Sequence, residues 1–154
     1  MITKKQVLKA QEEWGQGVVK TGTLKSNRNK CEQFIGEFID KYYAFNIGTI
    51  LFKPTKASIV QFRTDKEGAK SYFIGGNSKY PEDHGFAIHP WTKVRFENSN
   101  IILDENRAFA MGNYYFMDMK GEETKAEYTF GYKLVNGDLK IDIHHSSLPF
   151  NPNI

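Results

Sequence analysis

Two adjacent histidines and two adjacent serines close the last apolar stretch of the chain, His144-His145-Ser146-Ser147. Imidazole beside hydroxyl is a pairing that can move a proton or orient a small polar ligand. Successive side chains of a strand point to opposite faces, so Leu139, Ile141, Ile143, His145 and Ser147 share one parity. Lys140, Asp142, His144 and Ser146 share the other. The spacing therefore predicts His145 and Ser147 at the end of an apolar lane that lines a pocket, with His144 on the charged side. The competing reading is that both hydrogen-bond within a packed core.

His84 and His89 add two imidazoles, but consecutive strand residues do not readily chelate one ion. The chain has neither a His-Glu-x-x-His helix nor a Cys-His cluster, so no protein-bound metal is expected. A hydrolase triad fails as well, because Ser147 and His145 share one strand, no nucleophile elbow is present, and no acid partner is identifiable. Gly75-Gly76 reads as a helix end and not as a phosphate loop. Thr55 after Pro54, Tyr72, and the tyrosines at 80, 114, 115, 128 and 132 either line a pocket or fill a core.

These residues need elements to hold them. Thr3 with Gln6 makes a capping box before Val7, Gln11, Trp14 and Val18, which predicts a helix over about 4–22. Cys31, Phe34, Ile35, Phe38 and Tyr42 mark a second amphipathic face over 30–44. Thr49 to Phe52 reads as a strand near a sheet edge, since Lys53-Pro54 closes it. A second short strand is expected at Ile59–Arg63, and a short helix opened by a Thr64/Glu67 capping box is expected to end at Gly75-Gly76. From Ala87 onward the pattern predicts strands over 88–98, 100–104 continuing through 106–119, 123–134 and 138–147. Hairpin chemistry falls at 98–100, 104–106, Lys120-Gly121 and Asn136-Gly137. Gly112 and Gly131 sit inside strands, where glycine permits a bulge or bend. The expected architecture is α+β: one domain over 1–154, a strongly curved antiparallel meander closing towards a cone, with the N-terminal helices packed on it.

Composition narrows the class of function. The chain has 154 residues, 40% of them apolar, with 12 Phe, 8 Tyr and 2 Trp, enough for one broad core. Its 21 basic and 18 acidic residues are scattered, so no dense patch for nucleic acid or a membrane surface is expected. Cys31 is the single cysteine, which precludes an internal disulfide and reads as a packing residue compatible with a reducing compartment. The N-terminus has no apolar run of signal-peptide length and no segment is long enough to span a bilayer, so the expected location is cytoplasmic.

Several ordered runs carry a resemblance. They are Phe52-Lys53-Pro54-Thr55-Lys56-Ala57, Val60-Gln61-Phe62-Arg63, Ser71-Tyr72-Phe73-Ile74-Gly75-Gly76, Tyr80-Pro81-Glu82-Asp83, Gly85-Phe86-Ala87-Ile88, Pro90 through Phe96, and His144-His145-Ser146-Ser147-Leu148-Pro149. Together they resemble the iota-class carbonic anhydrases. The ending is also similar to the hub domain of calcium/calmodulin-dependent protein kinase, a relative with the cone fold named after nuclear transport factor 2. The resemblance implies a lyase that reversibly hydrates carbon dioxide to bicarbonate and a proton, without a required metal, although a divalent ion is described for some members. It implies a pocket of Thr55, Tyr72, His145 and Ser147, in which the hydroxyls hold a water against carbon dioxide and the histidine accepts or orients a proton. No other cofactor and a homodimer are expected. Two alternatives stay open: a non-catalytic oligomerisation or small-ligand module like the kinase hub, and another lyase or isomerase of the fold with an acidic base, for which Asp118 is the candidate. Asp142 has the wrong expected parity for that role.

Overall fold

The N-terminal helix forms because its cap and its apolar stripe agree. In the computed structural model, which describes residues 1–154, Thr3 Oγ1 accepts the Gln6 N–H at 3.2 Å and Gln6 Oε1 accepts the Thr3 N–H at 2.8 Å. Helix α1 (Lys4–Thr23) then buries Val7, Gln11, Trp14, Val18 and Thr21, a single stripe at three- and four-residue spacing. Helix α2 (Arg28–Tyr42), capped by Asn27, buries Cys31, Ile35, Phe38 and Ile39. Helix α3 (Lys66–Ile74) is capped by Asp65, whose Oδ1 accepts the Gly68 N–H at 2.8 Å, and not by Thr64. Asp65 carries a full negative charge where the helix dipole is positive, which favours it over the neighbouring hydroxyl.

The strands are β1 (Leu51–Lys53), β2 (Lys93–Leu103), β3 (Arg107–Met117), β4 (Glu123–Val135) and β5 (Asp138–Ser147). They form one sheet in the order β1-β5-β4-β3-β2. The last four make the expected antiparallel meander, and β1 adds to the edge in parallel with β5, setting Phe52 beside His144. The turn at Asn136-Gly137 has φ of 50° and 86°, the double positive that this dipeptide favours. The helices and the sheet share one core of 27 buried residues.

Two further sequence expectations are corrected. Ile59–Arg63 is not a strand, because the N–H groups of Ser58, Ile59 and Val60 are taken by the Glu82 carboxylate and not by a neighbouring strand. Asn98-Ser99-Asn100 is not a hairpin but a bulge inside β2: Asn98 pairs with Gly112 and Asn100 with Met111, leaving Ser99 extra.

A second bulge matters more. Ile141 pairs with Tyr132 and Ile143 with Gly131, so Asp142 is the extra residue in β5. Both bulges face a glycine on the partner strand, as the positions of Gly112 and Gly131 anticipated. A methyl group on Gly131 would lie 2.8 Å from Ile143 Cβ, and one on Gly112 would run into the Glu97 carbonyl. An extra residue resets strand alternation. Before the bulge Ile141 faces the core; after it His144 and Ser146 do, at 3% and 0% exposure.

Candidate active site

The bulge reverses the assignment of the last strand. His145 is exposed and Ser147 lies beside it on the outer face, where its hydroxyl donates to Glu127 at 3.3 Å. Both line a shallow groove there with Thr129 and Met111. The expectation that this pair lines the interior pocket is therefore corrected: His144 and Ser146 occupy it. The physical reason is the two-for-one pairing at Asp142, which a parity count carried straight through the strand cannot register.

Parallel pairing of β1 with β5 brings Thr55 onto Ser146, with Oγ1 and Oγ 2.5 Å apart. Lys53 holds this junction: its ammonium donates to the Ser146 carbonyl at 3.0 Å. Tyr114, from β3, donates its hydroxyl to Ser146 Oγ and also lies 3.2 Å from His144 Nε2. On the other side of the ring, Tyr43 Oη is 2.9 Å from His144 Nδ1 and accepts the Trp14 indole N–H at 3.1 Å. The imidazole is stacked on Phe52, with centroids 4.7 Å apart, and edge-on to Phe130 at 4.4 Å. Tyr72 comes from α3 with its ring stacked on Phe86, and its hydroxyl accepts the Lys56 N–H at 3.2 Å. The bond from Lys56, the residue after Thr55, sets the Tyr72 hydroxyl beside the Thr55 segment. Tyr43, Tyr114 and Trp14 complete the cluster.

A cleft of about 360 Å³ opens against Tyr72. Its walls include Phe86 and Trp91, and Lys56, His84 and His89 also line it. Its apolar wall is Tyr72, Phe86, Ile88 and Trp91, charged side chains including Lys25, Glu82 and Asp83 stand round it, and its size suits small molecules. His84 and His89 are both exposed there. No three His, Cys, Asp or Glu side chains converge anywhere in a way that could hold a metal ion. Asp118 folds back on its own turn, accepting the Lys120 and Glu122 N–H groups, and Asp142 pairs with Arg107 at 2.5 Å; neither reaches the cluster. Cys31 is buried under α1, as a packing residue should be.

Burial decides the charge states. It pushes the Tyr72 phenol up to about 12, despite donation from Lys56 and Thr55, and raises Tyr43 and Tyr114 further. The same burial, aided by His145, holds His144 well below 6.5. The cluster is accordingly neutral near pH 7, and His144 is a poor place to leave a proton.

A pH dependence of stability follows. Below about 6.5 the unfolded chain protonates residue 144 and the folded chain does not. The contribution of the neutral ring is thus complete above about 6.5 and is lost as pH falls towards the depressed folded value. Urea midpoints should drop between about pH 7.5 and about pH 5.5, and His144→Gln should flatten that drop. An unchanged slope in the variant would contradict a neutral buried ring.

Most of this site was hidden from local sequence reading. The available signal was Gly131: a bulge opposite it inverts parity downstream and points to His144 and Ser146.

Residues 5–148 match the family model described as metal-independent carbonic anhydrase. The chain is 39% identical over 153 residues to the metal-independent carbonic anhydrase of Nostoc sp. strain PCC 7120, covering 97% of this chain and 75% of that protein. A crystal structure of the iota-carbonic anhydrase from a cyanobacterium, complexed with bicarbonate, superimposes with a TM-score of 0.94 at 37% identity, covering 97% and 94% of the two chains. A putative calcium/calmodulin-dependent protein kinase II association domain from Xanthomonas campestris shares the fold at a TM-score of 0.64 and 20% identity, covering 100% and 91%.

Proposed function

Because the chain belongs to the metal-independent carbonic anhydrase family, we propose that it interconverts carbon dioxide and bicarbonate where the cleft meets Tyr72 and Thr55. The observation that carries this reading is the hydrogen-bonded cluster of Thr55, Ser146, Tyr114 and His144, with the hydroxyl of Tyr72, which lines the cleft, bonded to the neighbouring Lys56 N–H. Carbon dioxide is apolar and bicarbonate is an anion, so the reaction needs an apolar approach and polar donors that meet charge as it forms.

The chemical difficulty is the nucleophile. Bulk water has a pKa of about 15.7, and a zinc ion lowers that to about 7 by coordination. Here the lever is placement. A water in the cleft beside Tyr72 and Thr55 attacks the carbon of carbon dioxide; one carbon–oxygen π bond opens onto an oxygen that the site's hydroxyl protons face. The water gives up a proton towards the mouth, where His84 and His89 stand. Holding the reactants in line and presenting donors to the developing oxyanion each contribute several kcal/mol in other enzymes. His144 orients the tyrosines and does not act as the final proton acceptor, since burial opposes its charge. The histidine role implied for the outer-face residue passes to an inner, neutral ring.

Stopped-flow hydration of carbon dioxide after exhaustive chelation tests the proposal. Full activity in chelator, unchanged by added zinc, magnesium or manganese, is expected. Activity only with an added ion would overturn the site chemistry, and no activity in either condition would overturn the function.

A further inference from the structure

The hydrogen bonds around His144 have a direction, and their buried end sets it. An indole N–H can only donate, and that of Trp14 donates to Tyr43 Oη at 3.1 Å. Tyr43 accepts there, is buried, and has no acceptor for its own proton other than His144 Nδ1, 2.9 Å away, so the proton goes to that nitrogen. A neutral imidazole whose Nδ1 accepts carries its proton on Nε2. Nε2 faces Tyr114 Oη at 3.2 Å, which receives that proton and donates its own to Ser146 Oγ. Ser146 is completely buried, and the remaining hydroxyl beside it is Thr55 Oγ1, at 2.5 Å, which takes the serine proton. Thr55 then keeps its own proton for the cleft end of the cluster, where the Tyr72 oxygen accepts the Lys56 N–H at 3.2 Å. Tyr72 accepts there, lines the cleft and makes no other hydrogen bond, so its own proton is left for a molecule bound in the cleft.

We propose that Trp14 and Tyr43 are positioning residues that fix the tautomer of His144 and, through it, the direction of the whole chain, so that the site presents a hydroxyl proton and not a lone pair to the bound molecule. The inference rests on the carbonic anhydrase reading of the same cluster. In the opposite polarity the cluster would turn a lone pair towards the incipient anion, and the electrostatic gain of a prearranged donor would be lost. Trp14 and Tyr43 do not line the cleft; Tyr43 reaches the cluster by its bond to the ring at 144, and Trp14 by its bond to Tyr43 and by stacking on Tyr114.

The test is nitrogen NMR of protein labelled in its histidine rings, together with stopped-flow hydration, on the full chain and on Tyr43→Phe and Trp14→Phe. In the unaltered protein His144 should carry its proton on Nε2 with a bare Nδ1. In Tyr43→Phe, Nδ1 loses its donor, the Nε2-protonated signature should give way to the other tautomer or a mixture, and kcat should fall about tenfold or more while KM changes less. Trp14→Phe leaves the Tyr43 hydroxyl free to turn, and it should give a mixed ring signature with an intermediate loss of kcat. An Nδ1-protonated ring in the unaltered protein would overturn the proposal. So would variants that shift the tautomer yet retain full kcat. If Tyr43→Phe does not fold, the ring state of the unaltered protein and Trp14→Phe still decide. An unaltered protein without hydration activity would instead sink the functional reading, and the NMR result would stand apart from it.

Discussion

Replacing Ser146 with alanine should lower kcat/KM for carbon dioxide hydration about 100-fold, whereas Ser147→Ala should leave it unchanged. The two serines are neighbours in the sequence and opposites in space. Ser146 joins Tyr114 to Thr55 and is wholly buried, while Ser147 rests on Glu127 at the outer face. Removing the Ser146 hydroxyl strips Thr55 of its donor and leaves the Tyr114 proton without an acceptor. The threonine is then free to turn its lone pairs towards the cleft, and the geometry held for attack is lost. Circular dichroism and urea titration on both variants separate this from unfolding, because deleting one buried hydroxyl partner costs about 1–3 kcal/mol. The histidines repeat the experiment: His144→Ala should be damaging and His145→Ala silent. Loss of activity in Ser147→Ala with retention in Ser146→Ala would show that the interior face of β5 had been assigned wrongly.

Asp83→Asn should destabilise the fold by about 3–5 kcal/mol, because it leaves a buried guanidinium without its counter-charge. Arg63 is completely buried and makes a two-pronged pair with Asp83, both N–O distances being 2.7 Å. Its remaining N–H groups reach the carbonyls of Val60 and Gly68, each at 2.8 Å, and Ser71 donates to the same carboxylate. Beside this pair, Glu82 gathers the N–H groups of Ser58, Ile59 and Val60. Partial burial pushes its carboxyl up, but these bonds and Arg63 together bring it down to about 2. The knot ties the segment after Thr55 to the start of α3 and to the floor of the cleft, so it holds Thr55 and Tyr72 in register. A paired replacement, Arg63→Met with Asp83→Leu, removes both charges at once and should recover much of the lost stability. Urea midpoints of the single and double variants measure the difference; a single variant as stable as the parent would show that the pair contributes nothing net.

Those variants probe features of different visibility. The capping box at Thr3 and Gln6, the stripe from Val7 to Val18, and the turn at Asn136-Gly137 are local: cap, spacing and backbone preference all reside in neighbouring residues, and the structure has them where the sequence places them. Gly112 and Gly131 were equally legible as places where a strand could bend. The motif runs around Thr55, Tyr72 and the terminal histidines were specific enough to indicate the family, and the fold followed from it.

The sequence by itself therefore determined the helices, the meander, the bending points and the chemical inventory of the site. Only the tertiary structure decided which histidine and which serine face the buried cluster. Alternation along β5 is a local rule, but the place where it resets depends on how β5 pairs with β4, and Asp142 becomes an extra residue only because Tyr132 and Gly131 present two partners to three residues. Thr55 meets Ser146 across 91 positions of sequence, and Tyr43 meets His144 across 101. Contacts of that range are fixed by strand order and register, and no window of neighbouring residues contains them.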